Sequence, residues 1–156
     1  MFVDYIKKQY LLMLQTDPSK YVSYLKKKGC IIGNNVHIFE GHMDMKWLSM
    51  ITIGNNVTLV NTTVLAHDAS TQKYIGKTKF EEVSIGDDVF VGYGSIILPG
   101  TNIGNNVVVG AGTVVRGGVP DNCLIVGNPW RILCPLDQYL EKNKIRLMNN
   151  ETSFDS

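Results

Sequence analysis

Few residues in this chain can move protons near neutral pH. Its 156 residues hold three histidines, and only His67 stands where a base could meet a substrate. It sits in Val64-Leu65-Ala66-His67-Asp68-Ala69-Ser70, at the point where a regular pattern stops and an irregular, polar stretch begins. A histidine there can face a groove between wall and loop. A neutral imidazole is a natural general base, because its ordinary pKa lies close to the working pH. Taken alone, a lone histidine is more often a surface or packing residue. A second set of chemistry-bearing residues lies in Glu40–Met50 (EGHMDMKWLSM), where Glu40, His42, Asp44 and Trp47 combine carboxylates with an aromatic ring. Such groups hold a sugar by stacking on its CH faces and bonding its hydroxyls; the plain alternative is a decorated surface loop. Phe90 is a further candidate wall.

The elements that must position these residues are read in sixes. Ile85, Val91, Ile97, Ile103, Val109 and Val115 fall six apart and are all β-branched and aliphatic. Gly86, Gly92, Gly104 and Gly110 follow four of them, and small or β-branched residues stand four places on. No helix has this period, but a turning ribbon of short strands with tight corners does. The motif Ile-Gly-Asn-Asn recurs at 32–35, 53–56 and 103–106. Asparagine there is corner chemistry, since Asn and Asp tolerate the left-handed region. One such coil cannot bury its apolar face, so several must stack.

The pattern breaks twice. Ile53 follows Ile32 by 21 residues rather than 18, so three extra residues fall within Glu40–Met50. After Leu59 the phase is open: Leu65 keeps strict sixes, whereas Val64 fits if one residue has been deleted. The second break, STQKYIGKTKFEEVS from Ser70 to Ser84, reads as a loop that leaves the coil and returns at Ile85. Long loops in compact domains are usually functional or disordered. Before the coils, Phe2, Ile6, Tyr10 and Met13 suggest a short amphipathic helix over 2–15. A second helix starts at Asp17-Pro18 and stops at Gly29. After Pro120 come a last short strand, Leu124–Val126, and a helix over 135–148. The expected layout is a helical cap (1–29), a coiled wall (30–134) with an excursion near 71–84, and a C-terminal helix and tail (135–156).

These repeats resemble the hexapeptide-repeat acyltransferases, most closely the galactoside and maltose acetyltransferases, over about Ile32–Leu133. The resemblance implies a mainly β fold: a left-handed parallel β-helix with three hexapeptides per coil. That hand comes from the family alone, because crossovers between parallel strands are ordinarily right-handed. It also implies acetyl-CoA as co-substrate, a homotrimer with sites between subunits, and direct transfer to a sugar or glycan acceptor with His67 as base. The matching CoA positions are Tyr93 in Val91-Gly92-Tyr93-Gly94 and Ala111 in Val109-Gly110-Ala111-Gly112, with Arg116 where the family carries a lysine. Arg131, in Val126-Gly127-Asn128-Pro129-Trp130-Arg131, matches the basic residue that meets a CoA phosphate. Trp130 departs from the family's usual small residue. The imidazole's orienting partner stays open among Asp68, Glu40 and a main-chain carbonyl; Asp68 also stands as an acceptor contact.

Net charge is +1, with 15 basic and 14 acidic residues well mixed, which gives no electrostatic case for nucleic acid. No apolar run is long enough for a membrane span. Cys30, Cys123 and Cys134 are scattered and odd in number, which fits a reducing cytoplasm. Two other activities are weighed against the first: N-acetylation of an amino sugar, and a zinc hydratase on the same fold. The second would need His37, His42 and His67 to converge on a metal, and no metal is expected. A non-catalytic scaffold of the same repeats is the remaining alternative.

Overall fold

The computed structural model describes residues 17–149. The helix expected over 2–15 and the tail beyond Asn149 lie outside the described residues. Helix α1 (Pro18–Lys27) starts where the sequence places it. Asp17 is extended at the N-cap, and its Oδ1 accepts from the amides of Ser19 (3.1 Å) and Lys20 (3.3 Å). Those bonds satisfy donors that the first turn cannot. Gly29 stops it with φ +102°. Tyr21, Val22 and Leu25 form its buried face, which packs on the first coil.

The first turn of the spiral contributes β1 (Ile31–Ile32), β2 (His37–Phe39) and β3 (His42–Met43). The second contributes β4 (Ile51–Ile53), β5 (Thr58–Val60) and β6 (Thr63–Val64). The chain then leaves the wall through β7 (His67–Asp68), a one-turn helix α2 (Gln72–Ile75) and β8 (Lys79–Phe80). The third turn is β9 (Val83–Ile85), β10 (Val89–Val91) and β11 (Ile96–Ile97); the fourth is β12 (Asn102–Ile103), β13 (Val107–Val109) and β14 (Val114–Val115). The last is β15 (Gly118–Val119), β16 (Cys123–Gly127) and β17 (Trp130–Pro135), followed by α3 (Leu136–Asn149).

Corresponding strands stack into three parallel sheets: β1-β4-β9-β12-β15, β2-β5-β10-β13-β16 and β3-β6-β11-β14. They are the three walls of a prism. Its core is three columns of inward side chains. Ile32, Ile53, Ile85, Ile103 and Val119 form one, Ile38, Leu59, Val91, Val109 and Ile125 the second, and Met43, Val64, Ile97 and Val115 the third. Each such side chain contributes roughly 1.5–3 kcal/mol by leaving water. β-branched residues suit these positions because they already favour extended backbone. The buried hydroxyls are satisfied locally: those of Ser95, Thr101 and Thr113 donate to the carbonyls of Gly92, Leu98 and Gly110.

One corner is held by side chains. The amide of Asn34 donates to Asn55 Oδ1, that of Asn55 to Asp87, that of Asp87 to Asn105 and that of Asn105 to Asp121. The next residue in each coil is left-handed, at Asn35, Asn56, Asp88, Asn106 and Asn122. The Ile-Gly-Asn-Asn motif is therefore corner chemistry. The open phase after Leu59 resolves on Val64, which is fully buried and pairs with Met43 and Ile97. The corner before it lacks one residue relative to the third turn.

The sequence reading and the structure differ in three places. The chain rejoins the wall at Val83, two residues before Ile85. The last strand is longer than expected and folds back as an antiparallel hairpin with β17. Helix α3 packs on that hairpin, but Leu140, Ile145 and Leu147, apolar residues that a packed helix at 135–148 would be expected to bury, are exposed. Among the described residues no helix is long and apolar enough to cross a membrane.

Candidate active site

The three surplus residues of the first turn have a use. Asp44 follows β3 directly, and its amide donates to Val64 O (3.0 Å). The chain then doubles back through a short 3-10 turn, Leu48–Met50, before β4. That detour holds the Asp44 carboxylate inside the wall, only 6% exposed. Its Oδ2 accepts from the Ala66 amide (3.1 Å) and makes a short hydrogen bond with His67 Nδ1. The orienting partner of His67 is thus Asp44, which the sequence reading had placed among the sugar-holding groups, and not Asp68, Glu40 or a carbonyl. A carboxylate accepts only, so Nδ1 carries the proton and Nε2 presents its lone pair.

His67 is positioned by alternation. Ala66 points inward and is fully buried, so Leu65 and His67 face out. Across the antiparallel β7–β8 pair His67 stands opposite Phe80. The two rings are 6.3 Å apart at 25°, and Phe80 also meets Trp47 at 4.5 Å and 60°. The imidazole, 35% exposed, opens on a cavity of about 430 Å³ lined by Leu65, Asp68, Lys79, Glu81, Leu98, Pro99 and Arg116. Lys79 pairs with Glu81 at 2.7 Å. The Asp68 carboxylate sits below its ordinary pKa of 3.8, chiefly because its oxygens accept from Ser70, with smaller help from the charges of Arg116 and Lys79.

Of the residues singled out from sequence, His67, Asp68 and Arg116 share this cavity; Trp47 touches Phe80, which stacks on His67, but neither ring lines the cavity itself. Tyr93, Ala111 and Phe90 line a different groove, on the outer face of the second sheet, together with Gly92, Gly110, Val126 and Tyr139. Its floor is the line Val60, Gly92, Gly110 and Val126, set by the strand register. A Cβ on Gly92 would lie 2.7 Å from Ala111 N, so only glycine lets the coils stack there. Glu40 is an exposed corner residue with φ 52°, and Arg131 is exposed on β17; neither lines either cavity. Trp130 donates from Nε1 to Arg116 O (2.8 Å), tying the hairpin to the corner that carries Arg116. Among the described residues no three His, Cys, Asp or Glu side chains cluster as metal ligands.

The sequence reading named Asp44 without its role and did not name Phe80. Asp44 was findable: Met43 pairs with Val64, so one coil of 21 residues brings Asp44 beside Leu65 and its neighbours. Phe80 was not, because the register of an excursion hairpin leaves no periodic trace.

A family described as the hexapeptide repeat of succinyl-transferase matches residues 82–116. CapG of Staphylococcus aureus is 37% identical over 146 residues, covering 88% of this chain and 83% of its own length. YvoF of Bacillus subtilis (strain 168), whose name carries a provisional assignment as an acetyltransferase, is 41% identical over 103 residues. That match covers 65% of this chain and 57% of YvoF, so the chain spans little more than half of that relative. Among solved structures, a maltose O-acetyltransferase from Clostridium difficile 630 superposes with a TM-score of 0.54 at 26% identity, over 82% of this chain and 85% of that one. A hexapeptide-repeat acetyltransferase from Vibrio cholerae, complexed with acetyl-CoA, shares the fold with a TM-score of 0.61 at 22% identity, over 82% and 84%. Repeat, register and relatives agree: this left-handed β-helix belongs to the hexapeptide-repeat acetyltransferase family.

Proposed function

We propose that the chain is an acetyl-CoA-dependent O-acetyltransferase acting on a sugar or polysaccharide precursor by direct transfer. The observation that carries this reading is the Asp44–His67 pair at the mouth of the excursion. The carboxylate fixes the tautomer, and Nε2 faces the cavity. In the reaction His67 takes the proton from an acceptor hydroxyl as that oxygen bonds to the thioester carbonyl carbon. The C–S bond breaks, and the proton passes from His67 to the departing sulfur. Asp44 stabilises the imidazolium that exists between those two events.

The groove floored by Gly92 and Gly110 is open, mostly apolar and bordered by Tyr93 and Ala111, which suits a pantetheine arm. It lies on another wall from the His67 cavity. A homotrimer resolves this, because the groove of one subunit can then face the base of the next. The Phe80–Trp47 pair supplies an aromatic surface beside the base, as a sugar CH face requires. Three cysteines without disulfides fit a cytoplasmic enzyme.

The test is an acceptor screen of sugars and nucleotide sugars, read by thiol release from acetyl-CoA. His67→Ala should bind CoA as the parent does and lose about 100-fold or more in turnover. Unchanged turnover removes the mechanism, and no thermal shift with millimolar CoA removes the cofactor. Light scattering of the purified chain tests the trimer.

A further inference from the structure

We propose that the His67 cavity holds the hydroxyls of an uncharged acceptor sugar between the cations Lys79 and Arg116 and the carboxylates Asp68 and Glu81, and that this mixed set selects against acceptors bringing a charge of either sign into the cavity. The assignment rests on the O-acetyltransferase reading above. It makes Lys79 and Glu81, which no sequence motif marks, specificity-determining residues.

Four charged side chains line the cavity with His67: the cations Lys79 and Arg116, and the anions Asp68 and Glu81. The frame places each of them. Asp68 and Lys79 stand opposite each other across the β7–β8 pair. Glu81 follows β8, and its amide donates to Ala66 O (3.1 Å). Its carboxylate rests against Gly100, where an added Cβ would meet Oε2 at 2.8 Å. The same oxygen lies 2.7 Å from Lys79 Nζ. Arg116 sits at the corner tied by Trp130 Nε1. The signs offset one another: Lys79 pairs with Glu81, and the charges of Arg116 and Lys79 both act on Asp68. Asp44 lines no part of the cavity and is turned onto Ala66 N and His67 Nδ1. The lining therefore carries no net charge while His67 is neutral.

Ammonium and guanidinium groups only donate and carboxylates only accept, whereas a hydroxyl does both. Neighbouring hydroxyls of a neutral sugar can therefore meet all four groups. A carboxylate on the acceptor can use the cations alone and faces two like charges; a cation on the acceptor has the converse problem. Either one also gives up hydration that a lining without net charge does not replace.

The test uses the full chain and matched glycosides built on an acceptor from the thiol-release screen. At one position that is not acetylated they carry a hydroxymethyl, a carboxylate or a trimethylammonium group, the last a fixed cation that cannot itself be acetylated. The parent should favour the neutral glycoside in kcat/KM by about 3- to 10-fold over either charged one, the scale of a unit charge acting through partly exposed groups. Glu81→Gln and Asp68→Asn should raise the ratio of anionic to cationic turnover by about the same factor, and Lys79→Gln should lower it; both shifts should fade at high salt. These side chains are exposed or half-buried, so the variants keep the fold, and a general loss of activity would move both charged glycosides together. A parent that favours either charged glycoside, or a ratio that the variants leave in place or move in one common direction, overturns the proposal and spares the acetyl-transfer reading. No thiol release with any acceptor in the screen overturns both.

Discussion

Asp44→Asn isolates the role of one negative charge. The substitution keeps volume and hydrogen-bonding atoms at a site only 6% exposed, so packing is preserved. What changes is the acceptor shared by Ala66 N and His67 Nδ1. If the new amide oxygen faces both donors, two neutral bonds replace two charge-assisted ones. Neutral bonds are worth about 0.5–1.5 kcal/mol and charged ones about 1.5–3, so the imidazolium loses at least about 1 kcal/mol. The upper bound is the full attraction between unit charges some 4 Å apart, about 4 kcal/mol at an effective dielectric of 20. At roughly 1.4 kcal/mol per decade these limits give a loss of about 5- to 1,000-fold in kcat. If the amide NH₂ faces Nδ1 instead, the tautomer inverts and Nε2 carries the proton, which pushes the loss to the upper end. The KM for acetyl-CoA should stay within about threefold, since Asp44 lines no part of the glycine groove. The assay is steady-state thiol release with an acceptor found in the screen, on protein whose Tm confirms folding. In a His67→Ala background the same substitution should cost nothing further, because residues acting as one unit are not additive. A kcat within threefold of the parent, or an undiminished further loss in the His67→Ala background, refutes the pairing as a catalytic device.

Phe80→Ala should raise the KM for acceptor by about 2- to 12-fold and leave the KM for acetyl-CoA alone, matching about 0.5–1.5 kcal/mol for an aromatic contact; equal changes in both constants would contradict the assignment. Gly86→Ala should lower Tm by roughly 3–10 °C. The added carbon would fall 2.6 Å from Asn105 Oδ1 and 2.7 Å from Gly104 O, and overpacking costs about 1–3 kcal/mol; an unchanged Tm would show that the coils can separate. Burial pushes the Cys30 thiol from 9.0 up to about 12. Iodoacetamide at pH 8.5 should therefore modify Cys134 and spare Cys30, with equal labelling as the contrary result. For the same reason, stability linked to Cys30 is present below pH 9.0 and declines toward pH 12 as the unfolded chain gives up that proton first. Cys30→Ala should flatten that decline in thermal melts, and an unaltered decline would contradict the linkage.

The wall was legible because its signal is repeated: one inward aliphatic residue every six, one Asn or Asp pair at the same corner of successive coils, one glycine where backbones meet. Each repeat restates the others, so an error in one is outvoted. The parts that carry chemistry are the parts that do not repeat. Placing Val64 rather than Leu65 inside required the partners Met43 and Ile97, which are distant in sequence. The β16–β17 hairpin looked like a strand followed by loop because Trp130–Pro135 has no alternation; that strand is mostly exposed and runs straight into α3. His67 was visible through its position at a break in the pattern. Its partner was hidden among four plausible polar residues of the Glu40–Met50 bulge, and only the burial of Asp44 tells it from Glu40.

Successive turns of the spiral differ widely in length. The corner bonds join residues 21, 32, 18 and 16 apart along the chain, yet each bond is the same. Registration is therefore a property of adjacent coils and not of counting along the polymer. Segments leaving the wall are free to lengthen, shorten or be exchanged without disturbing what lies above or below. If the Phe80–Trp47 surface holds the acceptor as proposed, acceptor preference rides on such detachable segments and can drift in evolution while the coiled wall stays put. A graft of a relative's segment between β7 and β8 is then a whole-substrate swap in a single cassette.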